Sequence, residues 1–294
     1  MGRTIGVMAA EHVAVGVVEG DRIAGAVRVF PERGSEADSL RDMPADEIAQ
    51  SIRRQVQLAA EGGEVTALGV GVPGVILDGV VAESPNLQQM KGLCLQAVLA
   101  EAFPSAVVRV LNDADALAAG IAATRGELDR LVRVWWLGTG VGYGRYPWAP
   151  AMGEGGHCVV TLDPKERFCG CGGVGHLEGI MGHRAMRLRF LDLEPEEIFE
   201  NARQGDERCR SFVRLWHRAL AGGTATSIHF DGPGKFYISG PNAKFVDSAL
   251  LNQYLHEMVK MSPLQGSFLE VLPTTDQVAI IGAAVSAARA PQGR

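Results

Sequence analysis

Residues 106–124 are AVVRVLNDADALAAGIAAT, and this stretch decides the fold class. Its first part, through Leu111, is mostly apolar and β-branched, which predicts a short buried strand. Residues 113–124 are rich in alanine, which predicts a helix that follows the strand directly. The same order of strand and then helix occurs earlier in the chain, where an apolar strand is predicted at 67–72 and a helix at 94–103. Strands that alternate with helices in this way indicate an α/β layer fold.

The pattern extends to both sides of this stretch. Before it, short β-branched runs predict strands at 4–7, 13–18 and 22–30, and apolar spacing predicts a helix at 44–61. After it, the predicted strands are 132–137, 141–146, 235–239 and 268–272. The predicted helices there are 183–190, 195–203, 208–229, 243–258 and 276–288. A glycine-, cysteine- and histidine-rich stretch without regular periodicity lies at 153–179.

The length of 294 residues favours two domains. We expect the joint near Leu111–Asp113, where a strand ends. The predicted smaller α/β domain comprises residues 1–111 with a C-terminal helix at about 275–294. The predicted larger α/β domain comprises residues 112–274 and contains the cysteine-rich loop.

Charge and cysteine content exclude several classes of function. The 28 basic and 34 acidic residues give a net charge of −6 with no long basic run, so neither nucleic acid nor a membrane surface is expected as a partner. No apolar run is long enough to span a bilayer, and no secretory signal is evident at the N-terminus. The five cysteines are odd in number and include a C-x-C, which favours a reducing compartment, the cytoplasm, over a disulfide framework.

Four soft metal ligands lie close together in the sequence: His157, Cys169, Cys171 and His176. Zn²⁺ favours four nitrogen or sulfur ligands in a tetrahedron, and a site with four protein ligands is structural. The glycines around the two sulfurs allow a tight loop. The alternative is a glycine-rich loop with incidental thiols. The neighbouring Cys158 would point away from the cluster on a strand, which predicts a packing role.

Asp113 stands where a strand passes into a helix, the edge at which α/β folds gather their ligands. There its carboxylate could accept a proton from a substrate hydroxyl, as a general base does. The alternative is that Asn112 or Asp113 simply caps the helix, since both residue types are strong N-caps. From this motif alone, the cap is the simpler interpretation.

Further polar residues lie in glycine- and proline-rich loops, namely Asn86, Glu154 and Glu178. Asparagine and glutamate together supply the donors and acceptors that a polyol ligand needs, although each alone is commonly a solvated loop residue. The turn Gly138-Thr139-Gly140 between two predicted strands could cradle a phosphate through its backbone N–H groups. It follows neither the Walker A nor the Rossmann pattern, and a plain hairpin turn is the alternative.

These pieces, in this order, resemble the ROK family (repressor, open reading frame, kinase) of sugar kinases and their relatives in the hexokinase–actin–heat-shock ATPase superfamily. The motifs that carry the resemblance are Gly69-Val70-Gly71-Val72-Pro73-Gly74, Ser84-Pro85-Asn86-Leu87, Asn112-Asp113-Ala114, Leu137-Gly138-Thr139-Gly140, Gly153-Glu154-Gly155-Gly156-His157, the stretch from Cys169 to Glu178 and Ile280-Ile281-Gly282-Ala283-Ala284. They extend over nearly the whole chain.

The resemblance implies a two-domain actin-like ATPase (ribonuclease H-like) fold with a ligand cleft between the domains. It implies that Asp113 is the general base for transfer of the ATP γ-phosphate to a hexose or N-acyl hexosamine. The sugar hydroxyls would be held by Asn86, Asn112, Glu154, His157 and Glu178. A structural zinc would be bound by His157, Cys169, Cys171 and His176. The nucleotide phosphates would contact Gly138, Thr139 and Gly140, with Mg²⁺ as a further cofactor. Family members are commonly homodimers.

The chain departs from the family pattern at the N-terminus. The family's D-x-G-G-T-K phosphate loop is replaced by Met8-Ala9-Ala10-Glu11-His12, which is one residue shorter and lacks the glycines, the threonine and the magnesium-binding aspartate. Phosphoryl transfer depends on positioning and charge neutralisation, so this loss bears directly on activity. Two hypotheses follow. The first is an ATP-dependent sugar kinase with a degenerate phosphate loop. The second is a sugar-binding protein of the same fold that lacks kinase activity or uses its site for another reaction.

Overall fold

The computed structural model describes residues 2–31, 40–148, 153–273 and 276–290. The chain divides into two compact units. Unit 1 comprises Met1–Val132, Gly144–Met152 and Thr275–Arg294, and unit 2 comprises Arg133–Tyr143 and Gly153–Thr274.

The strands and helices alternate along the chain. The strands are β1 (Arg3–Ala9), β2 (Val13–Glu19), β3 (Arg22–Phe30), β4 (Val65–Val72), β5 (Val75–Leu77), β6 (Val80–Glu83), β7 (Val107–Asn112), β8 (Val132–Leu137), β9 (Val141–Tyr146), β10 (Lys235–Ser239) and β11 (Phe268–Val271). The α-helices are α1 (Ala45–Ala60), α2 (Leu95–Ala102), α3 (Asp113–Thr124), α4 (Glu178–Met181), α5 (His183–Arg189), α6 (Pro195–Gln204), α7 (Glu207–Asp231), α8 (Ser248–Met258) and α9 (Asp276–Ala288). The short 3₁₀ turns are Gln88–Met90, Gly155–His157, Pro241–Phe245 and Ser262–Leu264.

Unit 1 is built on a five-stranded sheet of order β3-β2-β1-β4-β7. The β1–β2 and β2–β3 pairs are antiparallel, whereas β4 runs parallel to both β1 and β7. Apolar residues of α1 and α2, such as Ile48, Ile52 and Leu99, pack with the buried residues of these strands in one core. The predicted α/β layer fold is therefore confirmed.

Helix α3 packs against α9 in unit 1, and glycines make this contact close. A Cβ atom on Gly120 of α3 would lie 1.7 Å from the carbonyl oxygen of Val278, and one on Gly282 of α9 would lie 1.8 Å from that of Ala116. Only glycine permits such an approach between helix backbones. This contact assigns α3 to unit 1, so the boundary in the structure lies at Val132, further along the chain than the expected joint near Leu111–Asp113.

A second sheet has four strands in the order β11-β10-β8-β9, and most of its residues belong to unit 2. The largest side chains of its core are Trp135 of β8 and Trp216 of the 25-residue helix α7, both almost fully buried. The indole N–H of Trp135 donates to the hydroxyl of Thr224 at 3.0 Å, so this buried donor is satisfied. Helices α6, α7 and α8 contribute much of the remaining core.

Most predicted strands and helices are confirmed to within two or three residues, one predicted helix is wrong and one hairpin was missed. The helix expected at 243–258 is divided into the 3₁₀ turn Pro241–Phe245 and α8, because the side chain of Asp247 accepts hydrogen bonds from the backbone of Ala249 and Leu250 and so begins a new helix. The β5–β6 hairpin was not predicted. In the described part of the chain, no helix is both long and apolar enough to cross a membrane.

Candidate functional site

Asn112 and Asp113 occupy the junction of β7 and α3 in unit 1. The Oδ1 atom of Asn112 accepts hydrogen bonds from the backbone N–H groups of Ala114 at 2.8 Å and Asp115 at 3.3 Å, so Asn112 is the N-cap of α3. Its Nδ2 atom donates to the carbonyl of Gly74 at 2.8 Å. Asp113 is the first helical residue and lies half-buried, and its Oδ1 atom accepts a hydrogen bond from the backbone N–H of Ala114 at 2.9 Å.

Asn86 lies in an exposed turn of unit 1 that a buried serine stabilises. The hydroxyl of Ser84 donates to the carbonyl of Pro73 at 2.7 Å and accepts from the backbone N–H of Leu87 at 3.3 Å. Ser84 thus joins the turn that contains Asn86 to the residues after β4, where Asn112 is also bonded. Ser84 belongs to the motif Ser84-Pro85-Asn86-Leu87, but only Asn86 was predicted to have a role in the site.

The four predicted metal ligands come together in unit 2. Among their ligand atoms, Cys169 Sγ lies 3.3 Å from Cys171 Sγ and 3.5 Å from His157 Nδ1, and Cys171 Sγ lies 3.2 Å from His176 Nδ1. The two Nδ1 atoms are 3.3 Å apart, and all four ligand atoms lie within 4.8 Å of one another. The cysteines are free thiols.

These distances fit a tetrahedral metal site. A tetrahedral zinc ion would separate its ligand atoms by about 3.3 Å for two nitrogens, about 3.6 Å for nitrogen and sulfur and about 3.8 Å for two sulfurs. Four of the six ligand–ligand distances agree with these values to within about 0.5 Å, and all six are at most 4.8 Å. Two imidazoles and two thiols are also the donor set that Zn²⁺ prefers. The residues present therefore could hold such an ion.

Burial and neighbours distinguish the cysteines of this region. Burial raises the pKa of the Cys169 thiol to about 12, and the adjacent Cys171 thiol and Glu178 carboxylate act in the same direction. Cys158 is half-buried against the core of unit 2, and burial raises its pKa to about 11. Cys158 lies outside the metal-ligand cluster, so its predicted packing role is consistent with its position.

The two ring nitrogens of His157 lie near different groups. Its Nδ1 atom belongs to the metal-ligand cluster, whereas its Nε2 atom lies 4.0 Å from the Oε2 atom of Glu154. The side chains of Glu154 and His157 are 46% and 31% exposed, so the far side of the ring is open to a ligand. His157 can therefore serve a metal with one nitrogen and a polar ligand with the other.

The turn Gly138-Thr139-Gly140 joins β8 to β9, and its carbonyl groups are occupied. The Gly138 carbonyl accepts from the backbone of His183 at 3.0 Å and from the side chain of Asn242 at 3.0 Å, and the Thr139 carbonyl accepts from the backbone of Arg184 at 3.4 Å. Within the described residues, the backbone N–H groups of Thr139 and Gly140 find no acceptor. A turn with two such donors is suited to an anion such as phosphate.

Asn242 is a site residue that the sequence analysis missed. It is only 2% exposed, and its amide holds the turn from the end of β10. It directly follows Ser239-Gly240-Pro241, a glycine- and proline-containing segment at the end of a predicted strand. A Cβ atom on Gly240 would lie 2.5 Å from the carbonyl oxygen of Leu137, so glycine is needed where this segment passes the end of β8.

Glu178 contacts both the metal-ligand cluster and the glycine turn. Its Oε2 atom accepts a hydrogen bond from the backbone N–H of Val141 at 3.1 Å, and its Oε1 atom lies 3.4 Å from Cys169 Sγ. A Cβ atom on Gly140 would lie 2.4 Å from the Oε2 atom, so the carboxylate fits against the turn only because residue 140 is glycine.

Met8, near the end of β1, is an apolar side chain where the family pattern has an acidic one. Met8 packs with Leu111, Ala116 and Ala283, and a Cβ atom on Gly71 would lie 2.6 Å from its sulfur. After it, the backbone N–H of Ala10 donates to the carbonyl of His12 at 3.3 Å, which closes a short turn between β1 and β2. A thioether is a poor ligand for Mg²⁺, which binds oxygen.

The predicted site residues therefore form two groups. Unit 1 contains Asn86, Asn112 and Asp113, with Asn112 bonded to Gly74 beside the Asn86 turn. Unit 2 contains Glu154, His157 and Glu178, the four metal ligands and the Gly138–Gly140 turn. Within unit 2, contacts join the cluster to Glu154 through His157 and to the turn through Glu178.

Comparison with known proteins places these features in one family. The ROK family model matches residues 35–289. A glucokinase of Pyrobaculum calidifontis is 30% identical to this chain over 262 residues, which cover 82% of this chain and 87% of that protein.

Solved structures share the fold. The ROK hexokinase of Thermus thermophilus superposes with a TM-score of 0.77 at 23% identity, covering 97% of this chain and 98% of the hexokinase. A ROK family glucokinase from Streptomyces griseus, solved with glucose and AMPPNP, superposes with a TM-score of 0.66 at 24% identity, covering 98% of this chain and all of that one. The expected actin-like ATPase fold is thereby confirmed.

Proposed function

Because this chain belongs to the ROK family, we propose that it is an ATP-dependent sugar kinase whose acceptor is a hydroxyl of a hexose or N-acyl hexosamine. The family match and the named activity of the Pyrobaculum relative support the reaction class. The acceptor class is the one that the family resemblance implies, and relatives named glucokinase and kanosamine kinase support it.

One observation carries the assignment of the base. Asn112 is the N-cap of α3 through its bonds to the N–H groups of Ala114 and Asp115, and the Asp113 carboxylate accepts from the same Ala114 N–H at 2.9 Å, so the cap does not depend on Asp113 alone. The Asp113 carboxylate would take the proton of the sugar hydroxyl as its oxygen attacks the γ-phosphorus, and the bond to the β-phosphate oxygen would break to release ADP.

We propose that the sugar is contacted by Asn86, Asn112, Glu154, His157 and Glu178. His157 supports this role because its Nε2 atom faces the side of Glu154 while Nδ1 faces the metal-ligand cluster. Polar side chains of this kind specify a ligand by hydrogen bonds to its hydroxyls.

Zn²⁺ is the metal that we propose for His157, Cys169, Cys171 and His176. Four protein ligands leave no open position for water, so the ion would have a structural role and shape the loop that presents Glu178. For the nucleotide we propose the N–H groups of Thr139 and Gly140, in the turn that begins at Gly138, as phosphate contacts, with Mg²⁺ as the counterion. A homodimer and a cytoplasmic location remain predictions from the resemblance and from the cysteine content.

A second function is favoured by the environment of Met8. The apolar packing of this side chain leaves no carboxylate at the family's magnesium-binding position, which is what a sugar-binding protein without kinase activity would tolerate. We rank this sugar-binding function second, because the proposed base of a kinase is retained together with the proposed sugar contacts.

Calorimetric titration separates the two functions. The purified protein is titrated with each of glucose, mannose, galactose, fructose and the N-acetylated hexosamines, and then with ATP–Mg²⁺ in the presence of the best-binding sugar. Sugar binding followed by ADP release in a coupled assay supports the kinase. Sugar binding without detectable nucleotide binding or turnover supports the alternative, and the absence of any sugar binding contradicts both.

A further inference from the structure

The segment from Glu178 to Arg184 lies between the metal-ligand cluster and the glycine turn and is bonded to both. One residue, Leu177, separates this segment from the ligand His176. The segment comprises α4, Gly182 and the start of α5. Three of its residues contact the turn: Glu178 through its carboxylate, and His183 and Arg184 through their backbone N–H groups.

The same segment is anchored on the side of the cluster. The backbone N–H of Leu177 donates to the carbonyl of Cys158 at 3.0 Å, and a β-bridge pairs Val159 with His176, so each contact lies beside a histidine ligand. The contact between Glu178 and Cys169 Sγ adds a side-chain link. A Cβ atom on Gly170, between the two cysteine ligands, would lie 2.7 Å from the guanidinium of Arg184.

We infer that the metal centre positions the phosphate turn as well as the sugar-binding loop, and that Glu178 is the residue that transmits this effect. A bound ion would hold His157, Cys169, Cys171 and His176 together and thereby fix the start of α4. The Glu178 carboxylate then accepts the hydrogen bond from the Val141 N–H. The turn thereby keeps the conformation in which the Thr139 and Gly140 N–H groups can bind phosphate. This inference rests on the proposed function for its nucleotide part only.

Glu178 accordingly has two separable roles. Its position in the family motif makes it a proposed sugar contact, and its bond to Val141 makes it a positioning residue for the turn. Glu154 provides a matched comparison. It is also a proposed sugar contact, and its described contacts are with His157, not with the turn.

Hydrogen–deuterium exchange of the metal-loaded full chain tests the inference directly. The peptide that contains Val141 is followed by mass spectrometry in the wild type and in the Glu178→Ala, Glu178→Gln and Glu154→Ala variants. Loss of a charged hydrogen-bond acceptor should accelerate exchange in that peptide by about tenfold or more in Glu178→Ala. Glu178→Gln, whose amide oxygen can still accept from Val141, should restore most of the protection, and Glu154→Ala should leave it unchanged.

Two further measurements complete the test. Metal content by mass spectrometry should remain at one ion per chain in Glu178→Ala. Chelation of the metal from the wild type should accelerate hydrogen–deuterium exchange in the peptide that contains Val141. Unchanged exchange of the Val141 peptide in Glu178→Ala, or after chelation of a protein that stays folded, overturns the inference.

A nucleotide titration separates this inference from the proposed function. ADP–Mg²⁺ affinity measured without sugar should be several-fold weaker in Glu178→Ala than in Glu154→Ala. If the wild type binds no nucleotide, the kinase proposal fails, while the exchange measurement still decides whether Glu178 holds the turn.

Discussion

The Nδ1 atom of His157 lies 3.3 Å from the Nδ1 atom of His176, although 19 positions separate the two residues in the sequence. Each Nδ1 atom also lies beside a cysteine sulfur, at 3.5 Å for Cys169 and 3.2 Å for Cys171. The loop between the histidines therefore closes on itself so that four ligand atoms converge. Because His157 uses Nδ1 for this purpose, its Nε2 atom remains on the side of Glu154.

We predict one zinc ion per chain, lost when Cys171 is replaced. Cys171→Ala removes one of four ligands, so the purified variant should contain far less than one equivalent of zinc and should melt at a lower temperature. Elemental analysis by mass spectrometry gives the metal content. Cys94→Ala, which changes an exposed free cysteine on another unit, is the control and should keep its zinc. Wild-type protein prepared without chelators and found to lack zinc would contradict this prediction.

We predict that Glu154→Ala weakens sugar binding without unfolding the protein. A charged hydrogen bond to a bound hydroxyl contributes about 1–3 kcal/mol, so the dissociation constant should rise by about 5- to 150-fold. Calorimetry with the best-binding sugar measures this change. Glu101→Gln, an exposed carboxylate on α2, should bind sugar like the wild type. Equal affinities for Glu154→Ala and the wild type would remove Glu154 from the site.

Asp113→Asn should lower turnover by about 10²- to 10⁴-fold and leave sugar affinity nearly unchanged. The fold should be retained because Asn112 supplies the cap of α3. Asp115→Asn is the matched control, since Asp115 accepts from the backbone of Arg145 at 2.9 Å, which an amide oxygen can also do. A coupled ADP-release assay gives the turnover. Robust turnover in Asp113→Asn would show that another group is the base.

Met8→Asp tests the N-terminal departure. The side chain packs with Leu111, Ala116 and Ala283, so an aspartate there should lower the free energy of unfolding by about 2–5 kcal/mol, whereas Met8→Leu should cost less than about 1.5 kcal/mol. Urea denaturation measures both. For the wild type we expect weak ATP–Mg²⁺ binding, because the Met8–His12 loop has no glycine and no carboxylate at position 8. A stable Met8→Asp variant would show that the site is open to solvent.

We predict that the protein loses stability on acidification because of the buried His217. Burial lowers the pKa of this histidine below its usual 6.5, and its ring is bonded on both sides, through Nδ1 to the Val213 carbonyl and through Nε2 to the Asp247 N–H. The unfolded chain therefore binds the proton more readily than the folded one. The resulting contribution is fully present above about pH 6.5 and is lost as the pH falls below it, at up to about 1.4 kcal/mol per pH unit.

Urea denaturation of the wild type and His217→Gln between pH 5 and pH 8 checks this effect. The difference in unfolding free energy between the two proteins should shrink as the pH falls below about 6.5. The comparison between variants removes the pH dependence of the metal ligands, which both proteins share. A constant difference across this range would mean that His217 does not titrate differently in the folded state.

The sequence alone determined the α/β class and most element positions. Periodicity is a local property, so the strand at 107–112 and the helix at 113–124 were visible in one stretch of residues. The four metal ligands were also predictable, because soft ligands within a short glycine-rich loop can reach one point without help from the rest of the chain.

Other features depended on contacts between residues distant in sequence. The choice between cap and base for Asn112 and Asp113 required the hydrogen bonds of the Asn112 side chain, which also reaches Gly74. The assignment of α3 to unit 1 required the close packing of Gly120 and Gly282, which no local pattern reveals.

The link from Glu178 to Val141 and the support of Gly138 by Asn242 were decided only by the tertiary structure. These bonds join residues 37 and 104 positions apart. A single sequence shows which side chains can donate or accept, but their partners are determined by how the strands and loops pack, because hydrogen bonds form only over about 3 Å.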